Sequence, residues 1–102
     1  MRVLDAAREE LADAVLWYES ETLGAGLRLA KHIEQTFARI ANNPRAFARM
    51  RGYEHPQVRR AIVTRFPYVV IFCVFQGEVT IVAIAHAKRA PFFWETRLDD
   101  LP

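Results

Sequence analysis

Apolar residues return every three or four positions in two early segments of the chain, a pattern that predicts two amphipathic helices. The first helix is expected to begin after Asp5 and to end near residues 21–22. The second is expected over about residues 25–41, because Pro44 removes a backbone donor and stops a helix. The segment Gly24-Ala25-Gly26 lacks the spacing of a phosphate-binding loop, so it predicts a simple turn between the helices.

Three apolar, β-branched runs follow, over residues 58–66, 68–75 and 79–86. Pro67 separates the first two runs because it cannot donate to a strand ladder. Gly77, within Gln76-Gly77-Glu78, predicts a tight hairpin between the last two. Such short connections favour antiparallel pairing. Residues 2–4 are read as a short edge strand, and residues 44–57 as a loop or a short turn of helix.

These elements predict an α+β fold, with a short N-terminal strand and a two-helix hairpin packed on a three- to four-stranded, mainly antiparallel sheet. Strict alternation with a two-residue hairpin loop gives the sheet a helix-facing side made of Val70, Phe72, Val74, Val79, Ile81 and Ala83. The other side then holds Val69, Ile71, Cys73, Phe75, Thr80, Val82, Ile84 and His86. Because this second side is also strongly apolar, either a partner or the chain itself must cover it.

The 102 residues, about half of them apolar, predict one folded domain over residues 1–102. The single cysteine, Cys73, lies in an apolar run and is expected to be a small buried hydrophobe. Charges within the first ten residues argue against a signal peptide, and the longest apolar run is too short for a membrane helix. We therefore expect a cytoplasmic protein.

Charge is distributed unevenly along the chain. Residues 1–43 carry 5 basic and 7 acidic side chains, whereas residues 44–102 carry 9 basic and 5 acidic ones. Six arginines and one acid lie between Arg45 and Arg65. The asymmetry suggests an acidic partner, either protein or nucleic acid, although a solvated basic loop is the simpler alternative. Phe47 and Tyr53, interleaved with these arginines, are expected to anchor the segment in the core.

Five short motifs occur in order: W-Y-E at residues 17–19, I-A-N-N-P at 40–44, V-R-R at 58–60, R-F-P-Y at 65–68 and A-H-A-K-R-A-P-F-F-W-E-T-R at 85–97. With the order of elements, they resemble the ParE/RelE superfamily of bacterial toxins, on the ParE or plasmid-stabilisation side. The resemblance covers nearly the whole chain. It implies the growth-inhibiting toxin of a type II toxin–antitoxin module, neutralised by a cognate antitoxin encoded next to it. The first strand is shorter here than in many relatives.

Two activities are implied by different branches of the superfamily. ParE-like relatives bind and trap DNA gyrase, which requires no catalytic residues. RelE-like relatives cut messenger RNA on the translating ribosome, a reaction that needs a general base, a general acid and cations at the phosphate. For that metal-independent reaction the candidates in this chain are Arg60, Arg65, His86, Lys88 and Arg89. A non-toxic binding module of the same fold is a third possibility, and no cofactor or metal is expected in any of the three.

The surface that meets the target or the antitoxin is predicted on the first helix and along the basic margin of the sheet: Trp17, Arg59, Arg60, Arg65, His86, Arg89 and Trp94. Three of these residues have a structural alternative. His86 can bond backbone, Arg60 can pair with Glu95, and Trp94 can seal the edge of the core. The expected partners are the antitoxin and either gyrase or the ribosome with its messenger RNA, with no membrane. A homodimer or a hetero-oligomer with the antitoxin is left open.

Overall fold

The computed structural model describes residues 1–54 and 56–101, which form two helices packed on a five-stranded mixed sheet. In chain order the elements are β1 (Arg2–Val3), α1 (Asp5–Glu21), α2 (Ala25–Asn42), β2 (Ala48–Glu54), β3 (Gln57–Ile62), β4 (Tyr68–Phe75) and β5 (Glu78–His86), with 3₁₀ turns at Pro44–Ala46 and Glu95–Asp100. The sheet order is β1-β5-β4-β3-β2, with β1 parallel to β5 and the other pairs antiparallel. The predicted α+β class, helical hairpin and antiparallel meander are confirmed. None of the helices described is long and apolar enough to cross a membrane.

The strand β2 is not predicted by the sequence pattern, and the sheet therefore has five strands instead of three or four. The segment opens with a short 3₁₀ turn, as one prediction allows, but it then pairs antiparallel with β3. Every residue of β2 is exposed or half-buried, so the strand lacks the apolar run by which a strand is predicted from sequence. Gly52, with a φ of +86°, lies where the pairing with β3 is irregular.

The strand β3 ends at Ile62, four residues earlier than predicted. Residues 63–67 form the connection to β4, and Arg65 takes a φ of 69° within it. The Val63 amide donates to the Tyr68 carbonyl at 2.9 Å, which closes this connection. Arg65 is therefore a turn residue and not the end of a long strand.

A β-bulge in β5 changes which side of the sheet several residues face. The two-residue hairpin loop and the pairing with β4 follow the prediction as far as Ile81, but Val82 is then an extra residue without a partner on β4. Beyond the bulge the alternation is inverted, so Ala83 lies in the core away from the helices and Ile84 in the helix-side core. His86 pairs with Tyr68 on the helix side. The predicted sides of Ala83, Ile84 and His86 are wrong because strict alternation cannot register a bulge.

Both sides of the sheet are covered by the chain itself. The helix side holds one core cluster, which includes Leu29, Ile33, Ile40, Val70, Phe72, Ile81 and Ile84. The other side holds a second cluster made of Val58, Ile71, Cys73, Val82, Ala83 and Trp94, against which Phe93, Leu98 and Leu101 of the C-terminal segment pack. Cys73 is buried as predicted, and burial raises the pKa of its thiol to about 11. The second side of the sheet is thus covered by the chain itself and not by a partner, which were the two alternatives that the sequence left open.

The two helices meet closely at Gly26. A Cβ at this position would lie 2.5 Å from the carbonyl oxygen of Val15, so only glycine fits without a backbone shift. The Glu19 carboxylate accepts hydrogen bonds from the amides of Gly24 at 2.8 Å and Gly26 at 3.0 Å. These bonds satisfy free amides at the start of α2 and lower the pKa of Glu19. The acid of the W-Y-E motif thus stabilises the helical turn.

Candidate functional site

A cleft between α1 and the end of β5 brings together three residues of the predicted surface. It has a volume of about 350 Å³, and Trp17, His86 and Arg89 line it with Tyr68. The Trp17 side chain is 55% exposed. The His86 ring lies 5.5 Å from the ring of Tyr68, and its Nδ1 accepts a 3.1 Å hydrogen bond from the Lys88 amide. One of the structural roles considered for His86, a bond to backbone, is therefore present.

Glu10 connects the residues at the floor of this cleft, although no sequence pattern marks it as a site residue. Its carboxylate accepts from Arg97 Nη1 at 2.8 Å and from Arg89 Nη1 at 2.7 Å. It also accepts from the amide of Ile84 at 3.1 Å. Arg97 Nη1 in turn donates to the carbonyl of Val82 at 3.0 Å. The Glu10–Arg97 ion pair, which joins α1 to the C-terminal segment, thus provides hydrogen-bond partners for the backbone groups that the bulge displaces.

A second cleft, on the other side of the sheet, has a volume of about 220 Å³. Three of the five nuclease candidates line it, namely Arg60, His86 and Arg89. Arg60 pairs with Ile71 and so projects on the side that the C-terminal segment covers, whereas the His86 ring lies against Tyr68 on the helix side. The imidazole and the Arg60 guanidinium therefore project from opposite sides of the sheet.

Of the remaining predicted residues near these clefts, Trp94 lines the second cleft, whereas Arg65 and Lys88 line neither. Arg65 and Lys88 are exposed, in the turn before β4 and in the turn after β5. Trp94 is only 2% exposed, and its side chain belongs to the second core cluster. This agrees with the alternative in which Trp94 seals the edge of the core. Glu95 lies near Tyr53, and both burial and the nearby Glu95 carboxylate raise the pKa of the Tyr53 hydroxyl. Among the residues described, no ion pair joins Arg60 to Glu95.

Arg59 belongs to a different basic region, formed by β2 and β3 along one edge of the sheet. It lies directly across from Arg49 in the β2–β3 pair, and its Nη1 donates to the Phe47 carbonyl at 2.7 Å. Burial, followed by the charges of Arg49 and Arg45, lowers the pKa of the Arg59 guanidinium. The single basic margin predicted from the sequence is thus two separate regions, one around Arg59 and one around His86.

Exposed apolar side chains are concentrated where α1 meets α2. We call residues 16–28 the hairpin tip. Its exposed apolar members are Leu16 at 68%, Trp17 at 55%, Leu23 at 90% and Leu27 at 75%. Groups of exposed apolar side chains of this kind commonly mark sites where a protein partner binds.

The fold and these surfaces define a small α+β protein whose exposed features suit binding to other macromolecules. Within residues 1–54 and 56–101, no group of His, Cys, Asp or Glu side chains is arranged to hold a metal ion. The family model described as ParE toxin of type II toxin-antitoxin system, parDE, matches residues 1–91. The chain belongs to this family, which confirms the resemblance and implies a cognate antitoxin. A search of curated proteins finds no match.

Proposed function

We propose that this chain inhibits growth by binding DNA gyrase, and that its antitoxin neutralises it by covering the hairpin tip. The observation that carries the proposal is the exposure of Trp17, Leu23 and Leu27 in a member of the ParE family. Burying apolar surface contributes roughly 25 cal/mol per Å², so these side chains are suited to anchor a protein interface.

Inhibition by binding is also supported by how the basic residues are engaged. Arg89 is paired with Glu10, and His86 Nδ1 is occupied by the Lys88 amide. Arg60 projects from the opposite side of the sheet. Cleavage of RNA by general acid–base catalysis needs these groups to converge on one phosphate. The arrangement therefore favours a binding surface over a catalytic centre.

A gyrase supercoiling assay tests the proposal directly. Purified protein is expected to inhibit supercoiling, and Trp17→Ala is expected to weaken the inhibition about tenfold, the usual scale for one interface anchor. Ile62→Ala is the matched control, because Ile62 is also an exposed apolar side chain, at 66%, but lies outside the hairpin tip. Failure of the folded protein to inhibit gyrase at large excess would contradict the proposal.

Cleavage of messenger RNA is the second candidate, favoured by one observation, which is that Arg60, His86 and Arg89 line the same cleft. Primer extension on translated messages after induction of the toxin decides between the two. New 5′ ends that appear with the wild-type chain and vanish with His86→Ala would replace the gyrase proposal. We expect growth arrest without new 5′ ends.

A further inference from the structure

The ribbon formed by β2, β3 and the 3₁₀ turn before them carries an excess of unpaired positive charge. We call residues 44–54 and 56–62 the arginine ribbon. Its arginines are Arg45, Arg49, Arg51, Arg59 and Arg60, and its single acid is Glu54. The ion pairs present in residues 1–54 and 56–101 both belong to Glu10, so none of these arginines is in one.

Arg49 and Arg59 face each other directly across the β2–β3 ladder. Like charges at directly opposed positions destabilise a sheet, and neither arginine of this pair is in an ion pair within the described structure. The Arg59 guanidinium is held in place by the Phe47 carbonyl at 2.7 Å and by Gln57 Oε1 at 3.1 Å. Two neighbouring guanidinium groups that are in no ion pair, one of them fixed by hydrogen bonds, are suited to bind an anion.

An open cleft of about 780 Å³ lies beside this pair. Arg45 and Arg59 line it together with Glu54, Gln57, Gln76 and Gly77. Its walls thus supply two cations against one acid, together with side-chain amides and a turn backbone. Cations, amides and backbone N–H groups are the groups that contact phosphate oxygens in nucleic-acid complexes.

The aromatic side chains of the ribbon are turned inward, and Ile62, at its end, is the one large apolar side chain among residues 44–54 and 56–62 that is exposed. The Phe47 ring packs on Phe72 at 5.7 Å, and the Tyr53 ring packs on Trp94 at 5.2 Å. Protein interfaces rely on buried apolar anchors, and single-stranded nucleic acids are bound by stacking on exposed aromatics. Neither is offered by these rings. A duplex backbone, by contrast, is bound mainly through cations.

We propose that the arginine ribbon binds the phosphodiester backbone of double-stranded DNA through Arg45, Arg49 and Arg59. The proposal goes beyond inhibition of gyrase and does not depend on it, because the DNA is bound by a separate surface. The binding is expected to be independent of base sequence, since guanidinium groups on phosphates fix position without reading bases.

Fluorescence anisotropy of the full chain with a labelled duplex of about 20 base pairs tests the proposal. Arg45→Gln and Arg49→Gln are the main variants, because both residues are exposed and their removal leaves the core intact. The double variant is expected to bind at least about tenfold more weakly at low salt, and its log–log salt slope should fall by about 0.9 for each phosphate that is no longer neutralised. Lys31→Gln, the matched control on the exposed side of α2, removes one charge outside the ribbon and should retain binding within about twofold.

A thermal melt separates loss of binding from loss of folding. Arg49→Gln removes one member of a like-charge pair, so its melting temperature should equal that of the wild type or exceed it by about 1–4 °C. Comparable binding of duplex RNA would support recognition of the backbone. Unchanged DNA binding in the double variant, an equal loss in Lys31→Gln, or a preference for single strands or for polyglutamate would each overturn the proposal.

Discussion

The cleft beside the hairpin tip and the cleft beside the arginine ribbon lie towards opposite ends of the strand β4, and they offer different chemistry. Tyr68, at the start of β4, lines the cleft that holds Trp17, whereas Phe75, at its end, lines the cleft that holds Arg59. Arg59 itself pairs with Phe72, four residues from Tyr68, which is roughly 13 Å along the strand at about 3.3 Å per residue. The cleft at one end therefore adjoins exposed apolar side chains, whereas the cleft at the other end adjoins positive charge.

The two ends also differ in how their charges are satisfied. Glu19 and Glu10, at the hairpin end, each accept several hydrogen bonds from neighbouring amides or guanidinium groups. Arg49 and Arg59, at the ribbon end, face each other, and neither is in an ion pair in the structure described. The acids at the hairpin end are thus satisfied within the chain, whereas the arginines at the ribbon end keep positive charge that suits an anionic ligand.

Trp94→Ala should have the largest effect on stability, and it acts on the ribbon end. Trp94 is 2% exposed and supports Tyr53 of β2 at 5.2 Å between ring centroids. Truncating a buried tryptophan costs about 3–5 kcal/mol, so urea unfolding should show a loss of this size. Phe92→Ala is the control, because Phe92 is 47% exposed and its truncation should cost much less. Equal losses in both variants would mean that Trp94 is not part of the core.

Glu10→Ala is expected to be next in size, and it acts on the hairpin end. The side chain is only 13% exposed, and its removal leaves Arg97, 19% exposed, and the Ile84 amide without their acceptor. A loss of about 2–4 kcal/mol in urea unfolding is expected for a partly buried charge network broken on one side.

Arg89→Ala is the matched control for Glu10→Ala. Arg89 is bound to the same carboxylate but is 47% exposed, so its removal should cost no more than about 1 kcal/mol. If both variants lose the same stability, the network is a surface ion pair and does not hold the bulge in β5.

Acid should loosen the hairpin tip through Glu19. The folded pKa of Glu19 lies below its ordinary value of 4.5 because of the amides of Gly24 and Gly26. Its contribution to stability is therefore present above pH 4.5 and is lost as the pH falls through the lower, folded pKa. In melts from pH 6 down to pH 3, Glu19→Gln should lose less stability than the wild type. Glu34→Gln, an exposed acid on α2, should follow the wild type, and identical curves for all three chains would contradict this account.

The helices, the hairpin loop and the covered sheet are accessible from the sequence, because apolar spacing and turn residues are local signals. The bulge at Val82 cannot be predicted from the sequence, because its backbone is hydrogen-bonded by Glu10 and Arg97, which are 87 positions apart in the chain. The strand β2 is not predicted either, because an exposed edge strand needs no apolar run.

The candidate site divides in the same way. Trp17, His86 and Arg89 are predicted individually, and they do line one cleft. The separation of Arg59 from them depends on the register of β3 with β2 and β4, which no local pattern specifies. The sequence therefore shows where the basic residues lie along the chain, but it does not show that they form two separate regions in the fold.

Trp17→Ala should have the smallest effect on stability, and it separates the two surfaces most clearly. Trp17 is 55% exposed, so its truncation should change the free energy of unfolding by no more than about 1 kcal/mol, against the larger loss for Trp94→Ala. If the hairpin tip meets the protein partners and the arginine ribbon meets DNA, this variant should weaken gyrase inhibition and leave anisotropy with duplex DNA unchanged. Arg49→Gln should weaken DNA binding in the absence of gyrase. If Trp17→Ala also reduces binding of the duplex, the two ends of the sheet do not act separately.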